Sequence, residues 1–454
     1  MKMNYFNTGE NPRFQPLDIG HRDYCVLIEP ETAFWTLIPK KELWKTLSSK
    51  KFQKRISAKI ADYRNEIDDL RFNLKPSAVY FNPTDKCNLN CKYCYIPENI
   101  RKNGSNMSFK QICEALKLIK DFFVTTLPKK RKAQIVFHGA EPMANKDVVF
   151  KAIDTFRNDF VFGIQSNGTL IDDSDADFIK KNKIMIGLSI DSSKSQTANK
   201  TRQKWNGEGT FNEIEQTLTR FSGYDAISLI CTITTANLKN LPDTIEYFHN
   251  HGITNCLVNA LRCTQKKARE LKPTDNIMAK YFIRALNKTH KLYSETGRKI
   301  IVANFANILF AILAPKGRKL MCDISPCGAG RCFFAVNAAG DVFPCSEFIG
   351  LKKFKGGNIF SDRIQKILSS KPFREVTGRK TENILYCSDC AIKHFCGAPC
   401  PAEAYTMNGK LNQRGAFCRF YEEQVRFAFR LIADGIHEDF LPFAWSKDML
   451  NNEI

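Results

Sequence analysis

The central part of the chain alternates between short apolar runs and amphipathic stretches. Six apolar runs between residues 77 and 260 predict β-strands, and the segments between them repeat apolar residues at helical spacing. The predicted strands are Ala78–Asn82, Gln134–Gly139, Phe162–Ser166, Ile184–Ile190, Ile227–Ile233 and Thr254–Asn259. The predicted helices between them are Phe109–Phe123, Asp147–Phe156, Asp175–Lys181, Phe211–Phe221 and Leu241–Asn250. This alternation predicts an α/β fold with a parallel sheet and right-handed crossovers, with too few strands for a closed eight-stranded barrel.

Residues 1–76 precede this alternation and predict a small α+β unit. Two strand-like runs, Tyr24–Ile28 and Ala33–Ile38, are followed by helical patterns near Lys41–Ser49 and Phe52–Phe72. Strands followed by helices in a basic unit resemble winged-helix peptide-recognition domains. The alternative is a simple N-terminal cover over the sheet. Beyond the alternating region, the predicted helices are Asn276–Glu295, Ala303–Leu313 and Glu422–Ile436.

Composition narrows the class of protein. The chain has 454 residues, 43% of them hydrophobic, which suits two or three domains with large cores. No stretch approaches the roughly eighteen consecutive apolar residues of a membrane span. The first residues, MKMNYFNTGENPRFQ, lack the apolar core of a secretory signal. We therefore expect a cytoplasmic protein with no membrane segment.

The charge is strongly basic. Lys and Arg total 68 against 47 Asp and Glu, which gives a formal net charge of +21. Such a surface can attract nucleic acid, an acidic peptide or an acidic electron donor. Aromatic residues do not interleave with the basic ones, as they would in a base-stacking surface, so nucleic acid is the less favoured partner. A merely solvated basic surface is the alternative.

Seventeen cysteines fall into two groups. Three lie at residues 87–94 and nine between residues 322 and 418. In a cytosolic protein, clustered cysteines indicate metal or redox chemistry rather than disulfides. The remaining cysteines are predicted to be ordinary buried residues: Cys25, Cys113, Cys231, Cys256 and Cys263.

The first group has the spacing C-x3-C-x2-C. Thiolates of Cys87, Cys91 and Cys94 can hold three irons of a 4Fe–4S cluster and leave the fourth iron free for a small molecule. A structural zinc site is the alternative, but zinc takes four ligands, and no fourth Cys or His follows nearby.

This triplet, directly after a predicted strand, resembles the cluster loop of the radical S-adenosylmethionine (SAM) family. The resemblance implies an open, partial (β/α)6 barrel similar to a TIM barrel, and SAM as a cofactor. It also implies that an electron from the cluster cleaves SAM and gives a 5′-deoxyadenosyl radical.

Further residues match the family one by one. Tyr93 takes the place of the aromatic residue that packs near adenine. The stretch HGAEP resembles the family's Gly-Gly-Glu-Pro, with Ala140 in place of the second glycine. There, Gly139 would allow close approach of the ligand, and Glu141 would accept hydrogen bonds from the SAM ammonium group. Arg202 matches an arginine that pairs with the SAM carboxylate.

The ends of the next two predicted strands also match. QSNG resembles the family's Thr-Asn-Gly, and LSID resembles its Ser-Leu-Asp. Polar residues at the carboxyl ends of parallel strands are where a barrel builds its site. We therefore expect Asn167, Ser189 and Asp191 to reach the ribose and the substrate.

The second cysteine group resembles the SPASM extension, which carries two auxiliary 4Fe–4S clusters. A zinc ribbon is the alternative for its later cysteines. The matching residues are Cys327, Cys345, Cys387, Cys390, Cys396, Cys400 and Cys418, with Cys332 as the eighth expected ligand and Cys322 as its rival. The resemblance implies one cluster on Cys327, Cys332, Cys345 and Cys400, and another on Cys387, Cys390, Cys396 and Cys418.

These resemblances divide the chain and imply a function. The predicted parts are 1–76 (N-terminal unit), 77–300 (partial barrel), 301–321 (bridging helix), 322–430 (Cys-rich iron–sulfur domain) and 431–454 (tail). SPASM enzymes mostly modify peptides, so we expect a radical SAM maturase of a ribosomal precursor peptide. Its expected product is a thioether or another side-chain crosslink. The expected partners are that peptide, with an acidic leader, and a flavodoxin- or ferredoxin-type reductant.

Three alternatives remain open. A peptide epimerase would need a hydrogen donor, for which Cys263 is a candidate. Sulfatase maturation is disfavoured because related enzymes place an Asp directly after the cysteine equivalent to Cys345, where this chain has Ser346 and then Glu347. A non-catalytic iron–sulfur electron-transfer protein is the most distant alternative.

Overall fold

The structure is a computed structural model that describes residues 14–443, and its strands form two β-sheets. The strands are β1 (Gln15–Leu17), β2 (Tyr24–Glu29), β3 (Phe34–Pro39), β4 (Ala78–Phe81), β5 (Ala133–Phe137), β6 (Phe160–Ser166), β7 (Met185–Ser189), β8 (Ile227–Ile233), β9 (Asn255–Ala260), β10 (Ile301–Val302), β11 (Phe333–Val336), β12 (Asp341–Phe343) and β13 (Gly357–Asn358). A small antiparallel sheet has the order β1-β2-β3. The large sheet has the order β10-β9-β8-β7-β6-β5-β4-β11-β12-β13.

Helices connect these strands and form the C-terminal part. They are α1 (Leu43–Leu47), α2 (Lys50–Asp68), α3 (Glu98–Asn103), α4 (Phe109–Thr126), α5 (Lys146–Phe156), α6 (Asp173–Lys181), α7 (Ser195–Ala198), α8 (Phe211–Arg220), α9 (Leu241–Asn250), α10 (Lys266–Glu270), α11 (Asp275–Thr296), α12 (Ala303–Leu313), α13 (Ile364–Leu368), α14 (Lys371–Thr377), α15 (Lys393–Cys396), α16 (Pro401–Asn408) and α17 (Cys418–Ala433). Within residues 14–443, no helix combines the length and apolar character that crossing a membrane requires.

The predicted α/β architecture is confirmed. Strands β4 to β9 pair with one another in chain order, and every pair is parallel. Large apolar side chains fill the core: Phe81, Phe137 and Phe162, on three adjacent strands, are in ring contact at centroid distances of 5.8 and 5.9 Å. Because all six strands run the same way, their carboxyl ends lie at one edge of the sheet, where a barrel builds its site.

The Cys-rich region continues this sheet, which the sequence did not predict. Strand β11 pairs in parallel with β4, from Phe333 opposite Ala78 to Val336 opposite Phe81. Strands β12 and β13 then add in antiparallel fashion. Cys332 directly precedes β11, so it lies at the opposite end of this strand pair from the loop that follows β4.

The N-terminal unit lies against the C-terminal half of the chain. Trp35 in β3 donates its indole N–H to the carbonyl of Ile312, at 2.7 Å. Arg426 and Arg430 of α17 donate to the carbonyls of Asp18 and Ile19. These contacts favour the interpretation of this unit as a cover.

Arg71 makes the tightest of these links. It is buried, and its guanidinium donates to the carbonyl of Ser325 and to the carboxylate of Glu382, each at 2.5 Å. We predict that Arg71→Ala lowers the free energy of unfolding by about 2 kcal/mol, because a buried carbonyl loses its donor. Urea unfolding measures this. The control Arg64→Ala, on an exposed position of α2, should have little effect; equal effects of the two variants would contradict the link.

Candidate functional site

The C-x3-C-x2-C loop follows β4 and is held by a buried arginine. The guanidinium of Arg101, in α3, donates to the carbonyls of Ile96 (3.1 Å) and Leu89 (2.9 Å) and to Oδ1 of Asn90 (3.0 Å). Three bonds from one rigid, planar cation fix the curvature of the loop. The sequence gave no signal for this role, because it depends on how the loop folds back over α3.

A second segment, residues 201–205, holds the other side of the loop. The backbone N–H of Asn90 donates to the carbonyl of Gln203 at 2.7 Å, and that of Lys92 to Thr201 at 2.9 Å. The indole of Trp205 donates to the carbonyl of Cys87 at 2.8 Å. The loop is therefore positioned before any ligand binds.

The three thiols of the triplet line one large cavity of about 400 Å³, a volume typical of small-molecule sites. Burial raises the pKa of all three thiols, that of Cys94 to about 11. A thiolate here therefore needs a cation beside it, which iron supplies. In the described part of the chain no three His, Cys, Asp or Glu side chains already stand at metal-ligand spacing, so the thiols would close on a cluster as it assembles.

Beside the triplet, Tyr93, Asp191 and Arg202 form a buried polar group. The Tyr93 hydroxyl donates to Oδ2 of Asp191 at 2.5 Å and accepts from Nη1 of Arg202 at 2.8 Å. The backbone N–H of Thr232 donates to the other oxygen of Asp191. The sequence predicted each of these three residues at the site, but not that they bond to one another.

Arg202 is suited to an anionic ligand. It is 5% exposed and lines the cavity, and no described residue bonds to its Nε. A buried guanidinium N–H without an acceptor is costly, and a carboxylate in the cavity would relieve that cost. The SAM carboxylate fits this requirement, so the residues present are suited to the implied cofactor.

Glu141 has a different setting from the one expected. It is fully buried, and its carboxylate accepts from the backbone N–H groups of Met143 and Asn167 and from the hydroxyl of Ser166. Among the described residues, those lining the cavity do not include Glu141. Glu141 therefore ties the loop after β5 to the end of β6, and its contact with the SAM ammonium group stays a prediction.

Gly139, Asn167 and Ser189 do line the cavity, as expected. At Gly139 φ is +107°, and a Cβ atom would lie 2.1 Å from the side chain of Asn82, so only glycine fits. Asn167 donates to Oδ1 of Asn88 at 2.9 Å, which turns its amide toward the triplet loop. Their contacts with SAM stay predictions.

The far wall of the cavity carries an ion pair that sequence reasoning discounted. Nε of Arg262 lies 3.4 Å from Oε1 of Glu347. Burial raises the pKa of Glu347 to about 7, although Arg262 opposes the shift. No described residue bonds to Oε2 of Glu347 or to the hydroxyl of the buried Ser346. Only the long-range fold brings this pair to the cavity.

Four of the auxiliary cysteines come together as the resemblance implied. They line a second cavity, of about 60 Å³: Cys387, Cys390, Cys396 and Cys418. Of the other predicted group, Cys327, Cys345 and Cys400 pack in one apolar cluster. Cys332 is buried beside β11, whereas Cys322 faces the large cavity together with Cys345. The cluster assignments stay predictions.

Cys263 is not placed to donate hydrogen to a substrate. It is fully buried, and among the described residues those lining the large cavity do not include it. Its backbone N–H donates to Oε1 of Glu403 at 2.8 Å, which joins the end of the barrel to α16. The structure thus argues against Cys263 as the donor of an epimerase.

Comparison with known families agrees with this geometry. Residues 81–251 match the family model of the radical SAM superfamily, and residues 327–391 match SPASM, an iron–sulfur cluster-binding domain. The chain belongs to the radical SAM superfamily. It is therefore an enzyme, and its two matched domains imply SAM and iron–sulfur clusters as cofactors.

Two relatives span nearly their full length. An uncharacterised protein of Archaeoglobus fulgidus is 35% identical over 90% of this chain and 92% of its own. A cysteine-type anaerobic sulfatase-maturating enzyme of Clostridium perfringens is 24% identical over 79% of this chain and 98% of its own.

Two solved structures share the fold. Native anSMEcpe with bound AdoMet and Cp18Cys peptide has a TM-score of 0.68 at 20% identity, and covers 80% of this chain and 99% of its own. Streptococcus suis SuiB bound to precursor peptide SuiA has a TM-score of 0.58 at 14% identity, with 86% and 95% covered. At these identities the likeness shows the fold alone.

The setting of Arg202 generates a binding prediction. Arg202→Met, which keeps the length but removes the donors, should weaken SAM binding about 10- to 100-fold, because a charged hydrogen bond is lost. Equilibrium binding of SAM to anaerobically reconstituted protein measures this, with the iron–sulfur absorbance as a check that the cluster is retained. Arg157→Met, at an exposed position, is the control. Unchanged SAM affinity in Arg202→Met would contradict the assignment.

Proposed function

We propose that this enzyme is a peptide maturase that uses SAM cleavage to oxidise a substrate side chain and form a thioether or other crosslink. One observation carries the proposal: a single cavity is lined by the triplet Cys87, Cys91 and Cys94 and also by Cys322 and Cys345 of the second cysteine region. A substrate in this cavity therefore lies between two groups of potential iron ligands.

The chain's own residues prepare this cavity for SAM. Tyr93 and Asp191 hold the Arg202 guanidinium in place, and its free Nε faces the cavity as an acceptor site for the SAM carboxylate. Aromatic side chains form part of the wall and limit access of water: Tyr80, Tyr95, Phe333, Phe395, Phe420 and Tyr421. When bound, the cluster supplies the electron that cleaves SAM and releases the 5′-deoxyadenosyl radical.

An oxidative crosslink also needs an exit for one electron after hydrogen abstraction. We assign that role to two auxiliary clusters, for a total of three 4Fe–4S clusters in the enzyme. The first would take Cys327, Cys332, Cys345 and Cys400, and the second the four cysteines of the small cavity, Cys387, Cys390, Cys396 and Cys418.

The substrate class and the partners follow from charge and from the relatives. A net charge of +21 favours an acidic leader peptide and an acidic reductant of the flavodoxin or ferredoxin class. Both solved neighbours are described with a bound peptide. We place the reaction in the cytoplasm, where such reductants are available.

SAM cleavage tests this proposal directly. Anaerobically reconstituted enzyme with dithionite and SAM should release 5′-deoxyadenosine, and Cys91→Ala should lose one cluster's iron and all cleavage, because one iron loses its anchor. Cys113→Ala, a cysteine on α4 away from both groups, is the control. Purified protein that holds zinc instead of iron and sulfide, or cleavage that persists in Cys91→Ala, would refute the site.

A second candidate function is the maturation of a sulfatase-like protein. The sequence disfavoured it, because Ser346 stands where related enzymes have Asp. The structure brings Glu347 to the same cavity, with Oε2 free to accept a proton from a substrate carbon that is being oxidised. The sulfatase-maturating relative from Clostridium perfringens supports this alternative.

Glu347 separates the two candidates. With a synthetic peptide that carries a sulfatase-type cysteine, maturation would convert the cysteine to an aldehyde, detected by mass spectrometry after hydrazide tagging. Glu347→Gln should then slow the conversion about 100-fold or more, because the proton acceptor is lost. Ser346→Ala is the matched control and should retain activity. If the wild-type enzyme cleaves SAM but makes no aldehyde, the crosslinking proposal is favoured.

A further inference from the structure

The first auxiliary group has one thiol too many. Five cysteines belong to this part of the chain, whereas a 4Fe–4S cluster takes four: Cys322, Cys327, Cys332, Cys345 and Cys400. Either Cys322 or Cys332 is therefore surplus.

Their positions distinguish them. Cys332 is buried at the start of β11, where its carbonyl accepts from the backbone N–H of Ser77 at 2.9 Å. The SPASM match begins at Cys327, so it includes Cys332 and leaves out Cys322. Cys322 is exposed, and it lines the large cavity. Cys322 is thus the surplus thiol, and it faces the space that the substrate would occupy.

The cavity between the two cysteine regions is short. The charge of Glu347 acts on both the Cys94 and the Cys322 thiol, so the carboxylate lies near each of them. Two further buried side chains on this cavity, Arg202 (5% exposed) and Ser346 (4% exposed), have polar atoms to which no described residue bonds. These unpaired atoms mark the cavity as a site for a polar ligand, and Cys322 lies on its wall.

We propose that Cys322 is a hydrogen-atom donor that quenches carbon radicals formed in this cavity. The inference rests on the proposed function, since it needs SAM cleavage to produce a radical. The S–H bond of Cys322 breaks and a C–H bond forms, because S–H is weaker than aliphatic C–H. The thiyl radical left on Cys322 then takes one electron from the flavodoxin- or ferredoxin-class reductant, and one proton from solvent, to restore the thiol.

This donor gives the site a second outcome beside oxidation. When the radical is on the α-carbon of a peptide residue, hydrogen returned from the Cys322 side replaces hydrogen removed from the SAM side. The residue changes configuration without net oxidation of the peptide. The substrate class is therefore a peptide whose α-carbon reaches the middle of the cavity, and the activity is epimerisation.

Deuterium transfer tests the donor with SAM alone as the probe. Holoenzyme is exchanged into D₂O, so that thiols carry deuterium, and is then given SAM and dithionite without peptide. The adenosyl radical is then the carbon radical in the cavity. The wild-type enzyme should place one deuterium in 5′-deoxyadenosine, and Cys322→Ala and the near-isosteric Cys322→Ser should lose most of this label while total 5′-deoxyadenosine is retained.

The controls distinguish the remaining outcomes. Cys263→Ala removes a buried thiol outside the cavity and should keep the label. Iron and sulfide contents of both Cys322 variants should equal those of the wild-type enzyme. A label that is unchanged in both variants overturns the proposal, and so does loss of one cluster's iron, which would make Cys322 a ligand. Failure of the wild-type enzyme itself to form 5′-deoxyadenosine would refute the proposed function instead.

Discussion

The parallel pairing of β11 with β4 is the contact that sets the two cysteine regions relative to each other. β4 leads into the triplet loop, whereas Cys332 directly precedes β11 at the other end of the pair. Tyr80 of β4 and Phe333 of β11 both line the large cavity. Because strands in a sheet are held by a ladder of backbone bonds, this relation is rigid. A substrate beside these two strands therefore meets both regions at once.

Burial is the second constraint, and it acts through the polar groups that the cavity wall contains. A charge in a low-dielectric site must be paired or must await a partner. Asp191 and Glu141 are fully satisfied by the chain, so they shape the site rather than bind in it. Arg202 and Glu347 each keep one free polar atom. The wall thus separates residues that organise the cavity from residues that await a ligand.

Local sequence pattern predicted what depends on local structure. The six strands and their helices followed from periodicity, and β8 has the predicted bounds, Ile227–Ile233. The triplet and its neighbours followed from spacing. The pattern missed β11, which has only four residues, and the clamp by Arg101, which depends on loop geometry. It also favoured Cys263 over Cys322 as a cavity thiol, because exposure to an internal cavity is set by contacts far apart in the sequence.

The two reactions argued for this cavity differ only in what reaches the substrate radical first. An electron that leaves toward the auxiliary cysteines gives an oxidised product, whereas a hydrogen atom from Cys322 restores a reduced one. Electron transfer tolerates distance, but hydrogen transfer requires near contact of the sulfur and the carbon. The outcome is therefore set by how deeply the peptide enters, and Arg262 with Glu347, between the two cysteine regions, is the pair placed to control that depth.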